Sequence, residues 1–513
     1  MDHMRITLDR SAERARRVPL SRQIQLHVQR LISQRLLTPG VKLPATRELA
    51  RDLGVNRTTV ALAYDELVAA GWARAHVGQG TFVADQVPTA AEAPRPTAPR
   101  FDWTGFLSKS AQVIASDARR LSYSQVPRPA PGAISFAGGM PDSSLFPTDG
   151  FRRVLNRVIR DEGRELLQYY PARGYPPLRE YLAGYLLRFG LEVRPEEILI
   201  VNGSQQGFDL VARTLLDPGD FVAIEQPSYP RAMRVFRAYG AQLLPVPMVA
   251  GGLQVDYLER VLERQSPKLV YCQPSAHNPT GLTMSAGARQ NLLDLAGRHR
   301  LPIVEDGFDG TLFYGERPPA PLKALDVAGL VIYIGTFSKI LFPGLRLGWM
   351  IAPPELIERL EMAKDLADIH TSPILQAAVF HFCRQRLLDR HQTRVLRESA
   401  RRRNALLAAL ARRMPAGVTW TESQGGFSLL VTLAQGMDAT ALLERAVERG
   451  VVFTPGNAFF VDGGGEHTLR LTFSAIPVNQ IDEGVKRLAE TIREAQRQPE
   501  RAARVVAPGV PLV

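Results

Sequence analysis

The stretch GTFSKILFPGLRLGW, residues 335–349, holds a lysine where this chain habitually uses arginine. The whole chain has seven lysines against eight times as many arginines. Lysine can lose its proton and condense with an aldehyde, whereas arginine stays charged. Lys339 is therefore a candidate for covalent chemistry with a carbonyl compound. Arg346, in the Pro-Gly-Leu-Arg turn that follows, suits a phosphate group.

A phosphorylated aldehyde of this kind is pyridoxal 5′-phosphate (PLP). A protein that uses it needs a lysine for the Schiff base, an anion near the ring nitrogen, a clamp for the phosphate and a face to stack on the ring. Each has a candidate. Asp306 ends the apolar run LPIVED, and the carboxyl edge of an α/β sheet is where ligands sit. Gly203, Ser204 and Gln205 join a strand pattern to a helical one, so their backbone amides fall at a helix N-terminus suited to phosphate. Ser338 and Arg346 complete that clamp. Tyr229, in EQPSYP, offers a ring to stack, and Asn278, in HNPTG, a hydrogen bond to the ring hydroxyl. No His/Cys pattern points to a metal.

The elements that must position these groups are legible as alternation. EEILIVNG, DFVAIEQ, KLVYCQP, LPIVEDG and LVIYIGTF read as buried strands. SQQGFDLVARTLL and SAGARQNLLDLAGRH, between them, read as amphipathic helices. This rhythm predicts a mainly parallel sheet covered by helices. From about Pro373 the pattern changes to long helices followed by shorter strands (GFSLLVTL, VVFTPG, TLRLTFS), a smaller α+β subdomain.

The N-terminal segment reads differently. SRQIQLHVQRLISQRLL is a helix with Ile24, Val28, Leu31 and Ile32 at helical spacing. Thr46 is expected to cap TRELARDL, which Gly54 ends, and Asn56 to cap RTTVALAYDELVAAG. WARAHVGQGTFVAD reads as two short strands around Gly78 and Gly80. In a helix-turn-helix the N-terminal end of the last helix enters the major groove, which places Arg57, Thr58 and Thr59 there. Residues 85–130 form a linker, Pro/Ala-rich at first and then with some helical pattern; residues 496–513 read as a disordered tail.

With 513 residues the chain is long enough for several domains. It has no apolar run that spans a bilayer and no signal-peptide pattern, so the expected location is cytoplasmic, with no membrane partner. Cys272 and Cys383 are the only cysteines, too few for a disulfide framework. The net charge of +12 permits nucleic-acid binding without demonstrating it.

The phrases PLSRQIQ, GVKLPATRELARDLGVNRTTVALAYDELVAAGW and GQGTFV resemble the GntR-type winged helix. The resemblance implies that Arg47 contacts DNA, that Arg57, Thr58 and Thr59 open the recognition helix, and that the wing near Gly78 and Gly80 reaches the minor groove. Residues 134–490 resemble fold-type I, class I/II aminotransferases through SFAGGMPD, YYPARGYPPLREYLAGYL, VNGSQQGFDL, QPSAHNPTG, EDGFDGTL, GTFSKILFPGLRLGW and TLRLTFS. By that resemblance Lys339 forms the internal aldimine, Asp306 pairs with the ring nitrogen, Asn278 contacts the ring oxygen and Arg470 grips a substrate α-carboxylate. Gly139, in SFAGGMPD, joins the substrate side. Phe308 stands where many relatives have a tyrosine that bonds the ring oxygen.

Together the two parts resemble the MocR/GabR-like regulators. The implied architecture is a winged helix-turn-helix at 14–84, the linker at 85–130, and an α/β fold-type I PLP-dependent transferase-like domain at 131–495, whose small α+β subdomain covers mainly 373–495. The implied function is a homodimeric transcriptional regulator that binds double-stranded promoter DNA and senses an amino compound or PLP. A working aminotransferase with an autoregulatory DNA-binding module is the alternative, and a PLP-free dimerisation scaffold a third.

Overall fold

The computed structural model describes residues 19–34, 36–76, 79–85, 102–122, 131–307 and 312–497. The chain divides into two compact units, 1–103 and 104–513.

The first unit is three helices and a two-stranded wing. The helices are α1 (Leu20–Ser33), α2 (Thr46–Leu53) and α3 (Arg57–Ala69), and the antiparallel strands are β1 (Ala73–His76) and β2 (Gly80–Val83). Ile24, Val28, Val60, Tyr64 and Leu67 are buried on facing helix stripes, the outcome their spacing predicts. Gly54 ends α2 in the left-handed conformation at φ 61°, and Asn56 Oδ1 accepts from Thr58 N at 3.2 Å to cap α3. One detail differs. Thr46 is the first helical residue of α2, and Ala45, which has no side chain to cap with, holds the N-cap position. The extended residue that opens the helix thus comes one position earlier than the Thr signal suggests.

The second unit begins with α4 (Lys109–Ser122), inside the stretch expected to be linker. Then follow α5 (Thr148–Leu166), α6 (Pro176–Leu186), β3 (Ile198–Val201), α7 (Ser204–Leu215), β4 (Phe221–Gln226), α8 (Pro230–Ala238), β5 (Gln242–Val249), β6 (Gly252–Leu253), β7 (Leu269–Cys272), β8 (Ile303–Asp306), β9 (Val331–Thr336) and β10 (Gly348–Ile351). The eight strands form one sheet in the order β3-β10-β9-β8-β7-β4-β5-β6. The five strands from β9 through β5 in that order run parallel. β10 lies antiparallel between β9 and β3, and β6 antiparallel on β5, so the sheet is mixed rather than parallel throughout. Both faces are covered. In β3, Ile198 and Ile200 pack with α5, α6 and Trp349, whereas Leu199 and Val201 pack with Phe208, Val211 and Phe236 on the other side. That two-sided burial is why these strands read as unbroken apolar runs.

After α9 (Pro354–Asp368), helix α10 (Pro373–Arg384) joins the core of the large domain, with Ala377, Val379 and Phe382 packed among residues of α5, α6 and the sheet. The small subdomain therefore does not start at Pro373. Its core begins inside the long helix α11 (Leu387–Arg413), whose Leu388 belongs to the large core and Leu406 and Leu410 to the small one. The small sheet is β11 (Thr419–Trp420), β12 (Ser428–Thr432), β13 (Thr454–Pro455) and β14 (Thr468–Thr472), antiparallel in the order β11-β12-β14-β13. Ile134 and Phe136 from the start of the domain complete this core. Helix α12 (Val478–Arg497) closes it and runs past residue 496, where the tail was expected to begin; residues 498–513 lie outside the described residues.

Candidate functional site

Lys339 sits in the turn between β9 and β10. An antiparallel partner allows the chain to reverse directly after β9, and the reversal carries Ser338, Lys339 and Arg346 on one loop at the carboxyl edge of the sheet. Lys339 Nζ donates to Gly139 O at 2.8 Å. Ser338 Oγ accepts from Thr336 Oγ1 at 3.0 Å. Arg346 is exposed, adopts φ 48° and donates from Nη2 to Asn202 O at 3.0 Å.

That bond brings Arg346 to the turn between β3 and α7. Gly203 has φ 78° and caps α7 without a side chain; Ser204 and Gln205 begin the helix. A β-carbon on Gly203 would lie 2.8 Å from Arg346 Nη2. The positive φ is what favours glycine here, while a side chain at this position would also push the Arg346 guanidinium from the turn. The turn, the helix N-terminus and the guanidinium form one anion cradle. Below it, Asn202 and Gln206 are both tied to Asp368 at the end of α9. Gln206 Nε2 donates to Asp368 Oδ2 at 2.9 Å, Asn202 Nδ2 donates to the same oxygen, and fully buried Lys364 Nζ pairs with Asp368 Oδ1 at 2.7 Å. Sequence reading missed Lys364 and Asp368, because an i,i+4 ion pair is an ordinary helix feature until its third partner is known.

Asp306 ends β8 with 1% exposure. Its Oδ2 accepts from Tyr271 OH at 2.8 Å and from Gln273 Nε2 at 2.7 Å. Asn278 Oδ1 accepts from Arg470 Nη1 at 3.1 Å. Tyr229 is half-buried at the start of α8, packs edge-on against Phe208, and burial pushes its hydroxyl up to about 12. Phe308 lies outside the described residues.

Arg470, on β14, is the buried cation of the site. It lies over the Phe459 ring at 4.9 Å, donates to Gly138 O and Thr454 Oγ1 as well as to Asn278, and has no carboxylate partner among the described residues. Burial lowers its guanidinium to about 10, still charged at neutral pH. Gly138 O serves Arg470 and Gly139 O serves Lys339, so the SFAGGMPD segment links the two cations. Space remains open beside both glycines.

In the first unit, Arg47, Arg57 and Thr58 are exposed and Thr59 is half-buried. Gly80 has φ 112°, pairs with His76 next to the turn of the wing, and lies against the Lys42 side chain. Gly78 lies outside the described residues.

Residues 142–488 match the aminotransferase class I and II family, and residues 20–83 match the bacterial regulatory proteins of the gntR family. The probable rhizopine catabolism regulatory protein MocR of Rhizobium meliloti is 32% identical over 484 residues, 94% of this chain and 95% of MocR. The chain belongs to the MocR-type regulators. This MocR-type chain is also 39% identical to aromatic-amino-acid aminotransferase 1 of Thermococcus litoralis, over 71% of the chain and 89% of that enzyme. LysN, an α-aminoadipate aminotransferase from Thermus thermophilus solved with N-(5′-phosphopyridoxyl)-L-leucine, superposes with a TM-score of 0.71 at 38% identity, covering 77% of this chain and all of LysN. The MocR-type architecture brings DNA binding to the first unit and an amino-compound ligand to the second, and the cofactor of the second is PLP. The residues fit it: an anion cradle built on the positive-φ Gly203 turn and Arg346, a lysine, and a doubly hydrogen-bonded carboxylate share one sheet edge. Among the described residues no helix is long and apolar enough to cross a membrane.

Proposed function

We propose that this MocR-type regulator works as a cytoplasmic homodimer on promoter DNA and that an amino compound bearing a carboxylate, or PLP itself, sets its DNA affinity. Bound PLP supplies an aldehyde that condenses with amines and a ring that withdraws electrons from them. The chain's own groups divide the remaining work. Gly203, Ser204, Gln205, Ser338 and Arg346 hold the phosphate, Asp306 faces the ring nitrogen, Asn278 the ring oxygen, and Tyr229 the ring. Lys339 gives and takes the proton at the amine. Arg47, Arg57, Thr58, Thr59 and the wing at Gly78 and Gly80 meet the DNA.

The observation that carries the ligand class is Arg470: a buried guanidinium with no carboxylate partner among the described residues, linked through Gly138 and Gly139 to the lysine. Burying an unpaired charge is costly, and an incoming carboxylate relieves that cost. A transmission route follows from α4. It packs on α8, with Asp117 buried and 3.8 Å from Arg237, and α8 begins beside Tyr229. A ligand that shifts α8 therefore acts on the segment leading to the DNA-binding unit.

A second reading, turnover as an aminotransferase, is favoured by one specific observation: Lys339, Asp306, Asn278 and Arg346 gather at one edge of the large sheet, and Arg470 reaches Asn278 there from β14 of the small subdomain. The test of both is the visible spectrum of PLP-loaded protein titrated with amino acids and amines, with and without a keto acid. A band that shifts with one amino compound and stays shifted supports the sensor. A band that is lost and then restored by keto acid over many cycles supports the transaminase. A protein that takes up no PLP rejects both.

A further inference from the structure

Gln273 was not among the residues singled out in the sequence. It follows β7 at the carboxyl edge of the sheet and is 1% exposed. Its side chain is used at both ends. Nε2 donates to Asp306 Oδ2 at 2.7 Å, and Oε1 accepts from Asn278 N at 3.1 Å. The partners fix which end is which, because a carboxylate only accepts and a backbone N–H only donates. Its own backbone N–H donates to the buried Glu225 Oε2 at 2.7 Å. Asn278 Oδ1 then accepts from Arg470 Nη1. One amide thus connects the aspartate at the end of β8 to the asparagine turn, and one further bond reaches the buried guanidinium on β14 in the small subdomain.

We propose that Gln273 is a positioning residue that holds Asp306 and the Asn278–Arg470 pair as a single hydrogen-bonded unit, so that the cofactor ring and the ligand carboxylate are received in a fixed relation. The inference rests on the reading that this domain binds PLP at Lys339. A buried amide satisfied at both ends cannot be removed without leaving a donor and an acceptor unmatched in a low-dielectric site.

Gln273→Glu tests this, since the new side chain is nearly isosteric and titrates. Protonated, it can still donate to Asp306 and accept from Asn278 N. Ionised, it sets a second negative charge beside Asp306, and two carboxylates so close resist joint ionisation. The other titratable and charged groups around it are Glu225 on β4, Tyr271 on β7, His277 in the following turn and Arg470 through Asn278. These are common to variant and wild type, so the ratio of their PLP dissociation constants isolates residue 273. The ratio is expected to stay near one at about pH 6 and to rise about tenfold or more by about pH 9. Gln273→Met, of similar length and without either hydrogen bond, is expected to weaken PLP binding about tenfold at every pH. A Gln273→Glu ratio that does not change with pH, or a Gln273→Met protein with wild-type affinity, overturns the proposal. If Gln273→Met does not fold, the pH series on Gln273→Glu decides alone. Wild-type protein that binds no PLP overturns the underlying reading instead.

Discussion

Lys339 is one of few lysines in an arginine-rich chain, and its amine donates to the Gly139 carbonyl at the carboxyl edge of the sheet. Lys339→Ala is expected to abolish the visible absorbance of bound PLP while the fold persists, checked by absorbance and circular dichroism on the same sample. Asp368 is a different case, since its partner Lys364 has a fully buried side chain. Asp368→Ala leaves that ammonium unpaired and releases Asn202 and Gln206 beside the Gly203 turn. A loss of about 3 kcal/mol in urea unfolding is expected, because removing one member of a buried pair strands the other. A third expectation concerns Glu225. Burial, with the nearby charge of Asp306 adding, raises its carboxyl from 4.5 to about 8. The folded protein therefore keeps a proton that the unfolded chain gives up above about pH 4.5. Stability from this group is present at low pH and falls as pH rises toward about 8. His277 acts the opposite way: burial lowers it from 6.5 to about 3, so its contribution falls as pH drops below about 6.5. Thermal unfolding of Glu225→Gln across this range should lose the alkaline decline and keep the acidic one.

At the scale of elements, the site is made by strand ends and the turns that follow them. β8 delivers Asp306, the β9–β10 reversal delivers Lys339 and Arg346, and the β3–α7 junction delivers the glycine cradle. Helix α4 has a separate task. Its buried Asp117 stands opposite Arg237 of α8, the helix that begins beside Tyr229. Asp117→Arg sets like charge against Arg237 and should release α4. The expected outcome is a protein with an unchanged PLP spectrum whose promoter affinity no longer responds to the amino compound, measured by fluorescence anisotropy on labelled DNA. Promoter affinity that still responds as in wild type would reject the route through α8.

For the whole molecule, DNA recognition and cofactor chemistry belong to separate compact units. Damage to one should spare the other. Arg57→Ala removes an exposed guanidinium at the N-terminus of α3. If that group meets a phosphate, promoter affinity falls and the slope of log K against log salt drops by about 0.9. If it meets a base edge instead, discrimination against mutated sites falls as well, by about 1–3 kcal/mol at that position. In both cases the visible spectrum is expected to remain that of wild type. An Arg57→Ala protein with unchanged DNA binding would remove α3 from the recognition role.

Local pattern was enough for much of this protein. The apolar runs fixed where strands end, and so put Asp306 and Lys339 at an edge; Gly54 and Asn56 marked the helix-turn-helix; the motif phrases carried the family. Each is a property of neighbouring residues, which periodicity and turn chemistry report directly. Tertiary structure alone decided the rest. Residues that meet across the site are far apart in the chain: Lys339 with Gly139, Arg470 with Gly138 and Asn278, Gln273 with Asp306, and Asp368 with Asn202. Such pairings depend on strand order, in which β10 crosses back to lie between β9 and β3. The helix inside the expected linker and the late start of the small subdomain have the same cause. Amphipathic stretches such as α4 and α10 announce that they bury a face, and only the assembled sheet decides against what.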